Sequence, residues 1–141
     1  MTKTIRSSLF LIAFAIAAGA SCLAQGNASV ETNFVAMLKK AGGIWFEGGR
    51  QNLLVDAYAG TKSEVEFHNI LARGGVESGS SAGASIQGSF LIRGSSNGNT
   101  IMDEPGRNVG FGFLRGVGID QHVVARERLP DLADSVMKKY P

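Results

Sequence analysis

A serine enclosed by small residues is the strongest chemical signal in this sequence. In Gly75-Val76-Glu77-Ser78-Gly79-Ser80-Ser81-Ala82-Gly83-Ala84, an apolar lead-in reaches Ser81 between glycines and alanines, and Ile86, Phe90 and Leu91 follow at roughly helical spacing. The pattern predicts a strand, a sharp turn with Ser81 at its apex, and a helix. A strained, crowded apex needs neighbours without bulky side chains. At a helix start, Ser81 would lie among unpaired N–H groups and the positive end of the helix dipole, and both favour a tetrahedral oxyanion. The chemistry implied is acyl transfer. A Ser/Gly/Ala run is also the composition of an ordinary loop, so the elements around it must decide.

Those elements alternate. Val30, Phe34, Met37 and Leu38 recur at i, i+4, i+7 and i+8, which predicts an amphipathic helix ended by Ala41-Gly42-Gly43. Ile44-Trp45-Phe46 is short, apolar and bounded by turn residues, as a buried parallel strand would be. Glu47-Gly48-Gly49-Arg50-Gln51 makes a tight loop into a helix over 52–58. Thr61-Lys62-Ser63-Glu64 has capping-box spacing, so a second helix is expected over 62–72, stopped by Gly74-Gly75. The polar stretch 94–110 reads as a surface loop. Val117-Gly118-Ile119-Asp120 predicts a third strand that delivers Gln121 and His122 at its C-terminal end. Leu129, Leu132, Ala133, Val136, Met137 and Tyr140 then mark a closing helix, with Pro130 near its start.

Strands alternating with helices imply an α/β fold with a parallel sheet and helices on both faces. Sites in such sheets lie beyond the carboxyl ends of the strands. The three loops leaving those ends are 48–51, 78–84 and 120–122, and their convergence raises Ser81 above a plain loop.

At 141 residues the chain is at most one ordinary domain. Residues 1–24 read as an export signal: Lys3 and Arg6, an apolar run over 9–18, then Cys22-Leu23-Ala24 with small residues at the cleavage positions. The run is shorter than the ~20 residues a membrane span takes. Export to the periplasm or medium is the first reading. The alternatives are a lipid anchor through Cys22 and an uncleaved anchor. The chain has 14 Lys+Arg and 12 Asp+Glu, and losing Lys3 and Arg6 leaves residues 25–141 neutral. No basic tail or stripe points to nucleic acid. With Cys22 as the one cysteine and His68 and His122 the two histidines, neither a disulfide nor a metal-ligand spacing is present, and no cofactor is expected.

Together these segments resemble the cyanophycinase and peptidase E-like family of serine hydrolases. The matching pieces are Ile44-Trp45-Phe46-Glu47-Gly48-Gly49-Arg50-Gln51, Gly79-Ser80-Ser81-Ala82-Gly83-Ala84, and Gly110-Phe111-Gly112-Phe113-Leu114 with Ile119-Asp120-Gln121-His122 and Arg126-Glu127-Arg128. The likeness runs from about Phe34 to Pro141. It implies a class I glutamine-amidotransferase-like fold and hydrolysis of aspartyl or β-aspartyl peptide bonds, with cyanophycin-like polymers among the substrates. Ser81 matches the nucleophile and His122 the general base, while the Ala82 N–H is the natural oxyanion donor. Gln51, Asp120 and Gln121 match substrate-contacting residues. Arg126 and Arg128 match arginines able to pair with a substrate carboxylate. Family members often dimerise, so a homodimer is implied too.

The chain also departs from that pattern. The family's orienting acid lies on a strand beyond the last helix, and its additional early strands have no counterpart before the helix at Val30. The expectation is therefore a partial domain over 25–141, incomplete at both ends, with activity in doubt. Losing the acid of the best-studied triad costs about 10⁴ in turnover. Asp103, Glu104 and Glu127 are the nearest spare carboxylates, and none stands where the family places its acid. Glu47 and Arg50 replace commoner residues, and Asp131 stands where cyanophycinases often carry a third arginine. The rival readings are an acidic-peptide-binding protein without turnover and a gene fragment.

Overall fold

The computed structural model describes residues 10–13 and 27–140. The expected leader's Lys3, Arg6, Cys22 and Ala24 lie outside the described residues, as does Pro141.

The fold is mixed α/β, and its strands are short and parallel. β1 (Phe10–Ala13), β2 (Gly43–Phe46) and β3 (Val76–Gly79) form one sheet in that order. β1, which lies within the segment read as a leader, pairs Leu11 with Ile44 of β2. β2 in turn pairs Phe46 with Gly79 of β3. α1 (Asn27–Leu38) precedes β2, while α2 (Gln51–Tyr58) and α3 (Lys62–Ala72) connect β2 to β3. These boundaries follow the apolar spacing and the turn residues closely. At the start of α3, Thr61 Oγ1 accepts the Glu64 N–H at 3.4 Å. Glu64 reaches back to the Gly60 N–H at 2.7 Å, one residue earlier than a standard capping box.

Burial alternates along β2. Ile44 and Phe46 are buried, whereas Trp45 between them is 36% exposed. A strand covered on both faces would bury all three, so the expected double covering is only partly realised. The main core joins Leu38, Ile44, Phe46, Phe67, Ile70 and Ile86. Phe46 and Phe67 meet edge to face, ring centres 5.1 Å apart, and Phe111 packs against both. Glu77, on β3 opposite Ile44, is the exception to this apolar pattern: both its carboxylate oxygens are shut off from solvent and have no hydrogen-bond partner among the described residues.

The second half corrects the sequence-based expectations. The helix after the elbow is a single turn, α4 (Ala82–Ser85), and the chain then extends into β4 (Gly88–Phe90). Ile86, Phe90 and Leu91 mimic helical spacing, but so short a run fits either conformation. The expected third strand is β5 (Leu114–Gly118), displaced toward the N-terminus. It joins β4 in a separate two-stranded parallel sheet with an irregularity between Gly88 and Phe90. The closing helix begins as α5 (Leu129–Asp131) and widens into a π-helix over Leu132–Met137. Of its expected apolar face Val136 is buried, while Leu129 and Met137 are exposed. Among the described residues no helix is long and apolar enough to cross a membrane.

Candidate active site

The elbow forms because β3 ends against β2 and α4 starts immediately. A methyl group on Gly79 or Gly83 would overlap backbone carbonyls, that of Phe46 among them, so both positions must be glycine for α4 to sit this close. Ser81, between them, has φ +50° and ψ −112°, a conformation L-residues rarely adopt. Its carbonyl accepts the N–H groups of Ala84 and Ser85. The apex therefore holds its shape through backbone bonds, which leaves the hydroxyl free to act.

That hydroxyl meets His122. Ser81 Oγ lies 2.8 Å from His122 Nε2, the contact a nucleophile and its base require. His122 also has a left-handed backbone, φ +58°, and sits in a loop whose other groups are tightly pinned. The Arg126 N–H donates to the His122 carbonyl at 2.9 Å, and the Arg128 N–H to that of Val123 at 2.8 Å. Among the described residues no carboxylate hydrogen-bonds the other ring nitrogen of His122.

Gly49, Gln51, Ser85 and Asn99 are among the residues that, with this pair, line a small polar cavity of about 40 Å³. Such a volume holds little more than a water molecule or a small polar group. The Ala82 N–H borders it and has no acceptor among the described residues, as an oxyanion donor should. α4 is a single turn, so the helix dipole expected from the sequence contributes little and the N–H itself carries the effect.

The other residues singled out from sequence divide into two groups. Gln51, Gln121, Arg126 and Arg128 line the cavity. Gln51 is buried, and its Nε2 donates to the Ile92 carbonyl at 2.8 Å, leaving Oε1 to accept from a ligand. Arg126 is exposed and its guanidinium makes no hydrogen bond among the described residues. Arg128 is buried, with Nη1 2.7 Å from the Gln121 carbonyl and 3.4 Å from Asp120 Oδ1. Burial, then the nearby Arg93 charge, lowers its pKa, though an arginine remains protonated. A ligand carboxylate there would meet incompletely balanced positive charge.

Asp120 behaves differently from a pocket residue. Its carboxylate does not line the cavity and is bound by Arg93 Nε at 3.0 and 3.2 Å. Nor does Asp131 reach the cavity: both its oxygens lie 2.9 Å from Arg93 Nη2. Ser85, Arg93 and Asn99 are the residues at or beside the site that the sequence does not mark. Arg93 follows the apolar Leu91-Ile92 and carries no motif, and Asn99 lies in a stretch that reads as loop.

Among the described residues no group of three or more His, Cys, Asp or Glu could hold a metal ion. No protein-family model matches the chain, and no curated protein matches it.

Proposed function

We propose that this chain is an exported serine-type peptidase cleaving aspartyl or β-aspartyl peptide bonds, as the cyanophycinase and peptidase E-like family does. The observation that carries this reading is Ser81 Oγ at 2.8 Å from His122 Nε2, on an apex held in a glycine-like conformation. The parallel three-stranded sheet that ends at this apex is compatible with a glutamine-amidotransferase-like core.

In the reaction, His122 Nε2 takes the Ser81 hydroxyl proton as Oγ bonds to the scissile carbonyl carbon. The carbonyl π pair moves to oxygen, where the Ala82 N–H donates to it. The C–N bond then breaks, and His122 returns the proton to the departing amine. Water repeats the sequence on the acyl-enzyme and releases the acid. Arg126 and Arg128 bind a carboxylate of the substrate, and Gln51 Oε1 accepts one of its N–H groups.

A second reading, an acidic-peptide-binding protein without turnover, is favoured by one observation. No carboxylate among the described residues orients His122 through its other nitrogen. A reporter-tagged fluorophosphonate distinguishes the two. Covalent labelling at Ser81, absent in Ser81→Ala, supports the peptidase. Binding of acidic peptides without labelling supports the second reading. A wild-type chain that does neither removes both.

A further inference from the structure

Arg93 lies at the centre of an ionic network that no sequence motif marks. Its side chain is 2% exposed and the carboxylate of Asp120 3%. Nε and Nη2 bond both oxygens of Asp120 at 3.0 to 3.2 Å, Nη2 also reaches both oxygens of Asp131 at 2.9 Å, and Nη1 donates to the Asn99 carbonyl at 3.2 Å. The same side chain thus ties the loop bearing His122 to the start of the closing helix and to the Asn99 wall of the cavity. Asp120 passes the constraint on. Its Oδ1 accepts the Gln121 N–H at 2.9 Å, and Arg128 holds the carbonyl of that residue, so the peptide leading into His122 is gripped from both ends.

The backbone supplies an independent observation. Among the described residues, the non-glycine positions with positive φ are Ser81, Arg93, His122 and Glu127. Two are the proposed reacting residues, one is Arg93, and the last lies between the two cavity arginines. Conformations of this kind persist only where surrounding contacts over-determine them, and they gather where geometry serves function.

We propose that Arg93 is a positioning residue for His122, an inference that rests on the hydrolase reading. For stability alone, buried ions are poorly suited, since apolar residues of similar volume commonly serve as well or better. A guanidinium gives something apolar packing lacks: a planar fork that fixes the orientation of two carboxylates together. Through Asp120 that plane sets the position of Nε2 over Ser81. A lysine keeps the charge but cannot hold both carboxylates in one plane.

The test measures the fluorophosphonate labelling rate at Ser81 across probe concentrations, for the folded fraction of wild type and Arg93→Lys. The expected result is a fall of about 10- to 100-fold in the limiting rate, with the half-saturating probe concentration unchanged. A merely structural role would reduce the folded fraction and leave the rate per folded molecule intact. A folded Arg93→Lys that labels at the wild-type rate overturns the proposal. If Arg93→Lys does not fold, Asp131→Asn replaces it, because the Asp131 side chain is 43% exposed and its neutralisation leaves no buried carboxylate unpaired. It should label about 10-fold more slowly, and a wild-type rate there is equally fatal. Failure of wild type to label at any probe concentration refutes the hydrolase reading itself, and that outcome is seen before any variant is compared.

Discussion

Ser81 keeps a backbone geometry that costs on the order of 1–3 kcal/mol for any residue with a Cβ. Glycine would relieve it, less about 0.4–1 kcal/mol for the extra freedom of the unfolded chain. Ser81→Gly should therefore be more stable than wild type by about 1 kcal/mol in urea denaturation while losing all labelling. Ser81→Ala, equally inert, should show no such gain. The two cavity arginines separate in the same way. Arg126 is exposed and unbonded, so Arg126→Ala should leave the melting temperature unchanged and weaken binding of acidic peptides. Arg128 pins the Gln121 carbonyl from a buried position, so Arg128→Ala should also cost about 1–3 kcal/mol of stability, read from the denaturation midpoint.

At the scale of the elements, two short motifs can be probed. Thr61→Ala removes the cap of α3 and should cost about 1 kcal/mol without altering labelling. Gly83→Ala forces a methyl group into the Phe46 carbonyl and should cost upward of about 3 kcal/mol, or prevent folding, as circular dichroism will show. Both motifs were legible in the sequence because each depends on neighbours within a few residues: a hydroxyl three positions before a glutamate, and glycines flanking a serine. β2, β3 and the helices between them were legible for the same reason. β4 was not, since the spacing of Ile86 and Phe90 fits a helix as well as a strand, and the pairing of Gly88 with Leu114 settles the choice. The widened turn over Leu132–Met137 was hidden too, because apolar periodicity does not distinguish a π-helix from an α-helix. Arg93 was the largest omission. Its partners Asp120 and Asp131 stand 27 and 38 residues away, and nothing local marks an arginine as buried. Resemblance picks out Asp120 as a substrate contact, and its bond to Arg93 is hidden from the sequence for the same reason.

Across the whole molecule, two carboxylates set opposing limits on stability with pH. Burial pushes Glu77 from 4.5 to about 8. The native state then holds a proton that the unfolded chain has released, so stability is full below about pH 4.5 and declines as pH rises toward 8. Asp103 is the reverse case. Lys139 bonds its carboxylate at 2.6 Å, with Asn108 and Tyr140 adding to the effect, and holds its pKa below the usual value. Its contribution is present above the ordinary aspartate range and disappears as pH falls through the lowered pKa. Urea midpoints should therefore be higher at pH 5 than at pH 8. Glu77→Gln should flatten that slope on the alkaline side, and a midpoint that climbs steadily from pH 5 to pH 8 would contradict the assignment.

Glu77 also belongs to the strand that leads to Ser81, since β3 runs from Val76 to Gly79, just before the bend. Alkaline solution would force the Glu77 carboxylate to ionise where it has no hydrogen-bond partner among the described residues. Ionisation there would loosen the strand directly behind Ser81. On the proposed hydrolase reading, the capacity of Ser81 to be labelled would fade during a long alkaline incubation as that strand gives way, and Glu77→Gln would preserve it.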